Sequence, residues 1–412
     1  MTEYFEIHER DSAARLGELR LDDPVTTPAL IDEVREDTGS RWTPGEPDVE
    51  GDDSTLTILP HRAFPGGTPE EVEEAFAVDY PDVDFPSAAV VSPDTAENHG
   101  TDAYVLSNAQ ELAGHARALV DAIVETRAAI PADTALYLPG VATPGNVAIL
   151  AYAGVDLFDT DQAVLKGLQG KYLTTDGEQF LEDLTELPCA CPACQTPRSE
   201  FDHEDCAEHN ERALRAALGT VRERIRAGRL RDYIEGQARH EQWLTATFRR
   251  LDQQYGYLEE RTPVLRRNEI TAATDDTLRR VEIQRYAERV TTRYRNRFDA
   301  PLVLVPCSAR KPYSDSQSHA QFHDAIQYRA HLASMTSPIG VVPQELELTY
   351  PAQHYDSVVT GNWTATEIEF VSDVLAAYLD RNDYPRVIAH VPEDYRPICE
   401  RAAEQVDVQF EY

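Results

Sequence analysis

Apolar and polar positions along this chain follow two different periods, and the change from one to the other divides it. Over the first 160 residues, short apolar runs alternate with stretches of helical period. Leu56-Thr57-Ile58-Leu59, Ala88-Ala89-Val90-Val91, Ala103-Tyr104-Val105-Leu106 and Ala135 to Gly140 predict strands, whereas residues 68–77, 108–128 and 144–153 predict helices. The run from Gly154 to Asp159 predicts another strand, ending in a carboxylate. Strand alternating with helix is the pattern of a parallel α/β domain. A hairpin-like opening at residues 11–30 and an acidic loop at 36–54 precede it. After residue 209 the period lengthens: Leu214, Leu218, Val221 and Ile225 share one helical face, Gly228 is placed to end that helix, and helices continue to about residue 295. From residue 296 strands return at 302–306, 339–342, 386–391 and 406–410. The helix between the second and third of these, 366–380, has Ile368, Val371, Leu375 and Tyr378 on one side and a Thr366/Glu369 capping box. A small parallel α/β sheet is the expectation for this last part.

Length and charge change the picture in two respects. A chain of 412 residues exceeds one ordinary domain, and no run of about 18 apolar residues or charged-then-apolar leader is present, so a soluble cytoplasmic protein is expected. The net charge of −35 comes with only three lysines, Lys166, Lys171 and Lys311, among 38 basic residues. Such a surface suits a salt-rich cytoplasm and would ordinarily argue against nucleic acid, whose phosphates are met by Lys and Arg. Residues 209–300, however, hold 20 arginines against 14 acidic residues. That block reads either as an RNA-facing surface or as helices laced with internal ion pairs. Trp243, Phe248, Tyr255, Tyr257 and Tyr286 within it could stack on bases or fill a core.

Two constellations carry chemistry. Cys189, Cys191 and Cys194 lie within six residues, and a histidine or a fourth cysteine beyond them would complete a tetrahedral site for Zn2+. His209, His203 and Cys206 compete for that position. The second is the loop that follows the apolar strand Leu302-Val303-Leu304-Val305. Within Pro306 to His319 it supplies a thiol (Cys307), an amine (Lys311), a phenol (Tyr313), a hydroxyl (Ser316) and an imidazole (His319). The carboxyl end of a strand in an open α/β sheet is where ligands bind. A lysine kept in so lysine-poor a chain, four residues from a thiol, points to nucleophilic chemistry.

The spacing Pro-Cys, three residues, Lys-Pro-Tyr, two residues, Ser, two residues, His resembles the signature of the archaeosine synthases. That resemblance implies a tRNA-modifying transferase that adds an amine, lysine or else glutamine, to the nitrile of preQ0 at position 15 in the tRNA D-loop. Cys307, Lys311, Tyr313, Ser316 and His319 would be its site residues. It also implies a radical SAM partner enzyme and leaves a homodimer open. Because the chain stops at Tyr412, close behind a strand, whereas such enzymes continue toward an RNA-binding PUA module, a separate PUA-containing chain is expected. Residues 11 to about 295 resemble archaeal tRNA-guanine transglycosylases. In that likeness Asp159 stands where the ribose-attacking nucleophile stands, and the Cys-x-Cys-x2-Cys…His-Asn arrangement selects His209 as the fourth zinc ligand, in a structural site. The base-reading Asp-Ser-Gly-Gly-Phe-Gln segment is absent, and 188 residues before the cysteines are fewer than the roughly 250 of a complete (β/α)8 barrel. The expected architecture is therefore a shortened TIM-barrel-like domain (1–188), a zinc-binding, arginine-rich helical subdomain (189–295) and a small α/β catalytic domain (296–412). Asp159 is then a base-site contact or relic. A working tRNA-guanine transglycosylase and a non-catalytic tRNA-binding subunit are the alternative readings.

Overall fold

The computed structural model describes residues 2–39, 49–62, 68–76, 80–357 and 362–412. The middle of the acidic loop and the last residue of the 68–77 helix lie outside these. The chain forms two compact units, Met1–Pro263 and Val264–Tyr412.

In the first unit β1 (Phe5–Asp11), β2 (Ala14–Leu19) and β3 (Val25–Thr27) make an antiparallel sheet. Seven further strands follow: β4 (Ala29–Leu30), β5 (Arg35–Asp37), β6 (Leu56–Ile58), β7 (Ser87–Val91), β8 (Ala103–Leu106), β9 (Ala135–Tyr137) and β10 (Leu157–Phe158). They form one parallel sheet in the order β4-β10-β9-β8-β7-β6-β5. Its two edge strands are nearly adjacent in sequence. Since the chain spans at most about 3.5 Å per residue, Leu30 and Arg35 hold the two edges within roughly 18 Å, and the sheet must curl. Arg35 accordingly reaches the Tyr137 hydroxyl across the interior. This is the shortened barrel that the resemblance to the transglycosylases implies, and its parallel strands are those the strand-helix alternation predicts. Ile31, Leu56, Ile58, Ala88, Ala103, Val105, Ala135 and Leu157 fill it, closed by Phe5, Leu19 and Leu21 from the opening segment.

The helices α1 (Glu70–Ala75), α2 (Ala109–Leu112), α3 (Ala116–Ala129), α4 (Val147–Ala153) and α5 (Asp161–Leu168) connect or follow the barrel strands. The single helix expected over 108–128 is two, because Gly114 at φ +86° cannot continue the first. A buried Arg15 fastens β2 to the barrel: its Nε donates to Asp156 Oδ1 at 2.9 Å and its guanidinium also reaches the Thr134 carbonyl.

A hairpin of β11 (Lys171–Thr174) and β12 (Gly177–Phe180) leads into α6 (His203–Arg226), α7 (Leu230–Gln237), α8 (Gln242–Asp252) and α9 (Tyr255–Arg261). Asp202 caps α6 in a capping box with Asp205, which fixes where the 24-residue helix begins. Leu214, Leu218, Val221 and Ile225 are its buried face, and Gly228 follows its end at φ +63°, as the sequence predicts. Gly167 matters here, since a Cβ on it would sit 2.3 Å from Ala207 Cα; its absence lets α5 and α6 touch.

In the second unit β13 (Ile270–Ala272) and α10 (Val281–Glu288) precede β14 (Leu302–Pro306), α11 (Gln317–Ile326), β15 (His331–Thr336), β16 (Gly340–Pro343), β17 (Tyr355–Ser357), α12 (Ala365–Arg381), β18 (Val387–Ala389), α13 (Arg396–Ala403) and β19 (Phe410–Glu411). Residues 264–295, grouped by sequence with the arginine-rich helices, pack here: Ile270, Ile283, Tyr286 and Val290 share a core with Leu304 and Leu375. The main sheet runs β16-β15-β14-β18-β19. It is parallel except for β16, which pairs antiparallel with β15, correcting the all-parallel expectation. Only three residues separate those two strands, too few for a crossover. The α12 capping box is Thr364 with Glu367, not Thr366 with Glu369. Among the described residues no helix is long and apolar enough to cross a membrane.

Candidate functional site

The central strand β14 has β15 on one side and β18 on the other, and the chain leaves it in opposite directions to build the two halves. That makes the carboxyl end of β14 a topological switch point, where an open α/β sheet leaves a crevice. Cys307 sits there, partly buried, its backbone N–H donating to Met335 O at 3.2 Å. Its Sγ lies 3.7 Å from the Tyr395 hydroxyl, which comes from the turn after β18. Lys311 is half-buried with Nζ 3.9 Å from the Tyr355 ring centroid, a cation–π contact. Burial lowers its ammonium below the ordinary value, opposed by the Cys307 sulfur and by the carboxylates of Asp356 and Glu269. Sulfur and amine thus share one electrostatic environment.

The other three signature residues hold the loop. Ser316 caps α11, accepting from His319 N at 3.2 Å. His319 Nε2 lies 3.1 Å from the Pro306 carbonyl, so that nitrogen carries the proton, and the ring stacks on Tyr313 at 5.1 Å. Burial lowers the imidazole below its usual value. The Tyr313 hydroxyl pairs with that of Tyr355 at 2.6 Å, and Tyr355 in turn with Thr336 Oγ1 at 2.8 Å; burial pushes the Tyr313 phenol well up. Tyr355 and Tyr395 escaped the sequence reading. Only the position of Tyr395 just beyond a predicted strand could have signalled it.

Asp159 has a different setting. It is fully buried at the carboxyl end of β10, with Oδ2 accepting from Tyr137 OH and from Gly140 N, each at 2.7 Å, and Oδ1 accepting from Asp161 N at 3.1 Å. Gly140 adopts φ +65°, a conformation that aims this N–H at the carboxylate and that other residues rarely hold. Arg35 stands 3.7 Å away from the opposite side of the barrel. Burial raises the Asp159 carboxyl above its usual value, against the hydrogen bonds from Tyr137 and Gly140. Each oxygen of this would-be nucleophile is engaged.

Cys189, Cys191, Cys194 and His209 bring their ligand atoms within 4.8 Å of one another, the set preferred from sequence. His209 Nε2 lies 2.9 Å from Leu173 O, which assigns its proton there and leaves Nδ1 toward the sulfurs, 3.3 Å from Cys194 and 3.5 Å from Cys191. Tyr172 stacks on the imidazole at 3.8 Å. Asn210 explains the second half of the His-Asn pair: its side chain holds Leu173 N, Lys171 O and Ala163 O, tying α6 to β11 and α5. Burial pushes the Cys194 thiol up to about 12, with the Cys191 sulfur adding to the rise; a cation among these sulfurs would offset that. The cluster could hold a metal. The rival ligands are used otherwise: Cys206 is buried in the adjoining apolar cluster, and His203 Nδ1 meets Leu168 O at 3.1 Å.

At least ten of the twenty arginines in the block form ion pairs within the chain. Arg212 meets Glu208 at 2.6 Å, Arg215 meets Glu211 at 3.0 Å, Arg250 meets Asp121 at 2.5 Å, and Arg293 meets Glu288 at 3.0 Å. Arg231 pairs with Asp252, and Arg266 with Glu282 at 3.1 Å, both buried. Phe248 and Tyr286 are core residues, and the Tyr257 hydroxyl donates to Ala153 O at 2.7 Å. Arg267, by contrast, is exposed.

Compared with known proteins, residues 84–242 match the family described as Queuine tRNA-ribosyltransferase, and residues 283–412 match one described as a domain of unknown function, DUF5591. Over its whole length the chain is 64% identical to a protein called Archaeosine synthase in Haloferax volcanii, covering 71% of that protein. It is 40% identical to Archaeosine synthase subunit alpha of Methanosarcina acetivorans, again over its whole length and over 72% of the relative. Over 58% of the chain it is 30% identical to a tRNA-guanine(15) transglycosylase of Methanothermobacter thermautotrophicus, covering 38% of that protein.

Proposed function

The chain belongs to the archaeosine synthase family of tRNA-modifying transferases, and from that membership we propose that it adds an amine, lysine in the first instance and glutamine in the second, to the nitrile of preQ0 at position 15 of tRNA. The observation that carries this reading is the placement of Cys307 at the switch point, beside Tyr395 OH and within the electrostatic reach of Lys311. A nitrile is a sluggish electrophile, so covalent activation lowers its barrier. The Cys307 sulfur bonds to the cyano carbon while the nitrogen takes a proton, giving a thioimidate, R–C(=NH)–S–Cys. The amine then bonds to the same carbon, the carbon–sulfur bond breaks, and an amidine, R–C(=NH)–NHR′, leaves with the thiol restored. Lys311 in its charged form favours the thiolate, and the Tyr395 hydroxyl or the Lys311 ammonium supplies the proton. His319 and Ser316 act as positioning residues, since each is committed to the shape of the loop.

Zn2+ in the Cys189, Cys191, Cys194 and His209 set, with all four positions filled by protein, would be structural. The tRNA would meet exposed arginines such as Arg267, and a radical SAM enzyme would act on the adduct. The transglycosylase alternative is disfavoured by the engagement of both Asp159 oxygens. Mass spectrometry of nucleosides from preQ0-containing tRNA, incubated with the chain and with lysine, glutamine or ammonia in turn, tests the reading. An amidine adduct of matching mass is expected with lysine; unmodified preQ0 in every arm, with exchange of labelled guanine, would return the chain to transglycosylase chemistry.

A further inference from the structure

Three phenols border the signature loop, and their protons are not equally available. Tyr313 and Tyr355 are each 2% exposed. Their hydroxyls lie 2.6 Å apart, that of Tyr355 is 2.8 Å from Thr336 Oγ1, and Thr336 Oγ1 is 3.1 Å from the Ser337 carbonyl. A hydroxyl has one proton to give. In the direction Tyr313 to Tyr355 to Thr336 to Ser337 every proton meets an acceptor, whereas the reverse leaves the buried Tyr313 proton with none among the described residues. Buried donors are paired wherever the fold allows, so the chain runs the first way and the Tyr355 proton is committed. Tyr395, whose hydroxyl has Cys307 Sγ at 3.7 Å as its one hydrogen-bond contact among the described residues, is the phenol outside this chain.

What Tyr355 offers the site is therefore its ring. Lys311 Nζ stands 3.9 Å from the ring centroid, with no carboxylate at ion-pair distance among the described residues. Two exposed carboxylates nonetheless act on the ammonium, Asp356 and Glu269. Both belong to the strand pair that carries Tyr355: Ile270 faces Tyr355 across β13 and β17, Glu269 precedes Ile270, and Asp356 follows Tyr355. A lysine stem is flexible, and a cation–π contact gains strength as its surroundings lose water. The half-buried ring thus competes with the two carboxylates for one ammonium. With the ring gone, Lys311 is free to swing to either of them, and a charge neutralised by a carboxylate does little for a thiolate.

We propose that Tyr355 is a positioning residue of the site: its ring holds the Lys311 ammonium within reach of the Cys307 sulfur and away from Asp356 and Glu269, while its hydroxyl anchors the ring and takes no part as an acid. The role belongs to the aromatic face, so phenylalanine can fill it and an aliphatic side chain cannot. The catalytic consequence rests on the amine-addition reading. The control of the thiol does not, because it concerns only side chains of this unit.

Alkylation of Cys307 by iodoacetamide at neutral pH, located by peptide mass spectrometry on the full chain without tRNA, tests this, because the thiolate is the reacting form. Lys311→Ala and Tyr355→Leu should each slow it by about tenfold. Tyr355→Leu on top of Lys311→Ala should add nothing, the mark of a residue that acts through another, and Tyr355→Phe should restore most of the rate. Melting temperatures identify a variant that fails to fold, in which case Tyr355→Met, closer in volume, replaces Tyr355→Leu. A full loss from Tyr355→Leu in the Lys311→Ala background, equal losses with phenylalanine and leucine, or no loss in any ringless chain overturns the proposal. Alkylation in the expected order without any adduct on preQ0-tRNA would instead sink the amine-addition reading alone, whereas adduct formed equally fast by the parent and a ringless chain would sink only the positioning role.

Discussion

The two strand ends that could each host a reaction, Asp159 after β10 and Cys307 after β14, are opposites in how they use their neighbours. At Asp159 the partners Tyr137, Gly140, Asp161 and Arg35 converge on the carboxylate and engage both its oxygens. Among the described residues the sulfur of Cys307 has one hydrogen-bond contact, a phenol at 3.7 Å, and the nearby ammonium rests on an aromatic face with no carboxylate at ion-pair distance. A functional group whose hydrogen-bonding capacity is spent inside the fold stabilises that fold, whereas one left partly unspent is available to a substrate. On the proposed reading this difference, more than residue type, sets the Cys307 end apart from the Asp159 end, since aspartate and cysteine are both competent nucleophiles.

The largest effect expected bears on the scaffold half. If the metal cluster holds the first unit together, binding energy there is folding energy. Chelation or Cys191→Ala should abolish its cooperative unfolding, and metal analysis should find one zinc per chain; a metal-free preparation with an unaltered melting temperature would break the assignment. Next in size is the chemical asymmetry. Cys307→Ala and Cys307→Ser should each lower adduct formation by about two to four decades, while Asp159→Asn stays within about threefold of the parent by the same nucleoside mass spectrometry. Equal losses at both sites would erase the comparison. Third, Arg266→Glu breaks a buried pair with Glu282 and should cost about 3–5 kcal/mol in denaturant unfolding. Exposed Arg267→Glu should leave stability nearly unchanged while weakening tRNA binding and reducing its salt dependence by about one ion. The smallest effect is a pH one. The folded-state value of His319 lies below the ordinary 6.5, so between those two values the unfolded chain binds the extra proton. Stability of the second unit should therefore be full above pH 6.5 and fall as pH drops through that window. His319→Gln should remove this slope; a slope that persists assigns it to other groups.

How far the sequence carried depends on whether a feature is written locally. The strand 302–306, the helix now seen at 365–381 and the three-cysteine knuckle each depend on residues a few positions apart, and all were legible. The capping box slipped by two because Thr364/Glu367 and Thr366/Glu369 have the same spacing, and only packing chooses between them. The strand β15 went unread because His331, Ser334 and Thr336 interrupt its apolar positions; all six residues are nonetheless buried, with His331 answered by Tyr384 and Glu345 and Thr336 by Tyr355. Tyr355 and Tyr395 lie dozens of residues from the loop they complete; nothing near Tyr355 marks it, and Tyr395 is marked only by its place just beyond a predicted strand. Arg35 reads as one more surface cation until the barrel curls and faces it toward Tyr137.

The hydrogen bonds that His319 donates, from its backbone N–H to the Ser316 hydroxyl and from its ring to the Pro306 carbonyl, make the Cys307 loop portable. Its curvature is written within residues 306–319, so the strand-loop-helix segment from Leu302 to Ile326 could be grafted onto a foreign parallel sheet and keep its backbone course. Its two tyrosine neighbours would stay behind. A transplant carrying only the segment would reproduce the shape of the site and leave its thiol and amine in ordinary water, whereas one that also supplied phenols in place of Tyr355 and Tyr395 would rebuild their surroundings.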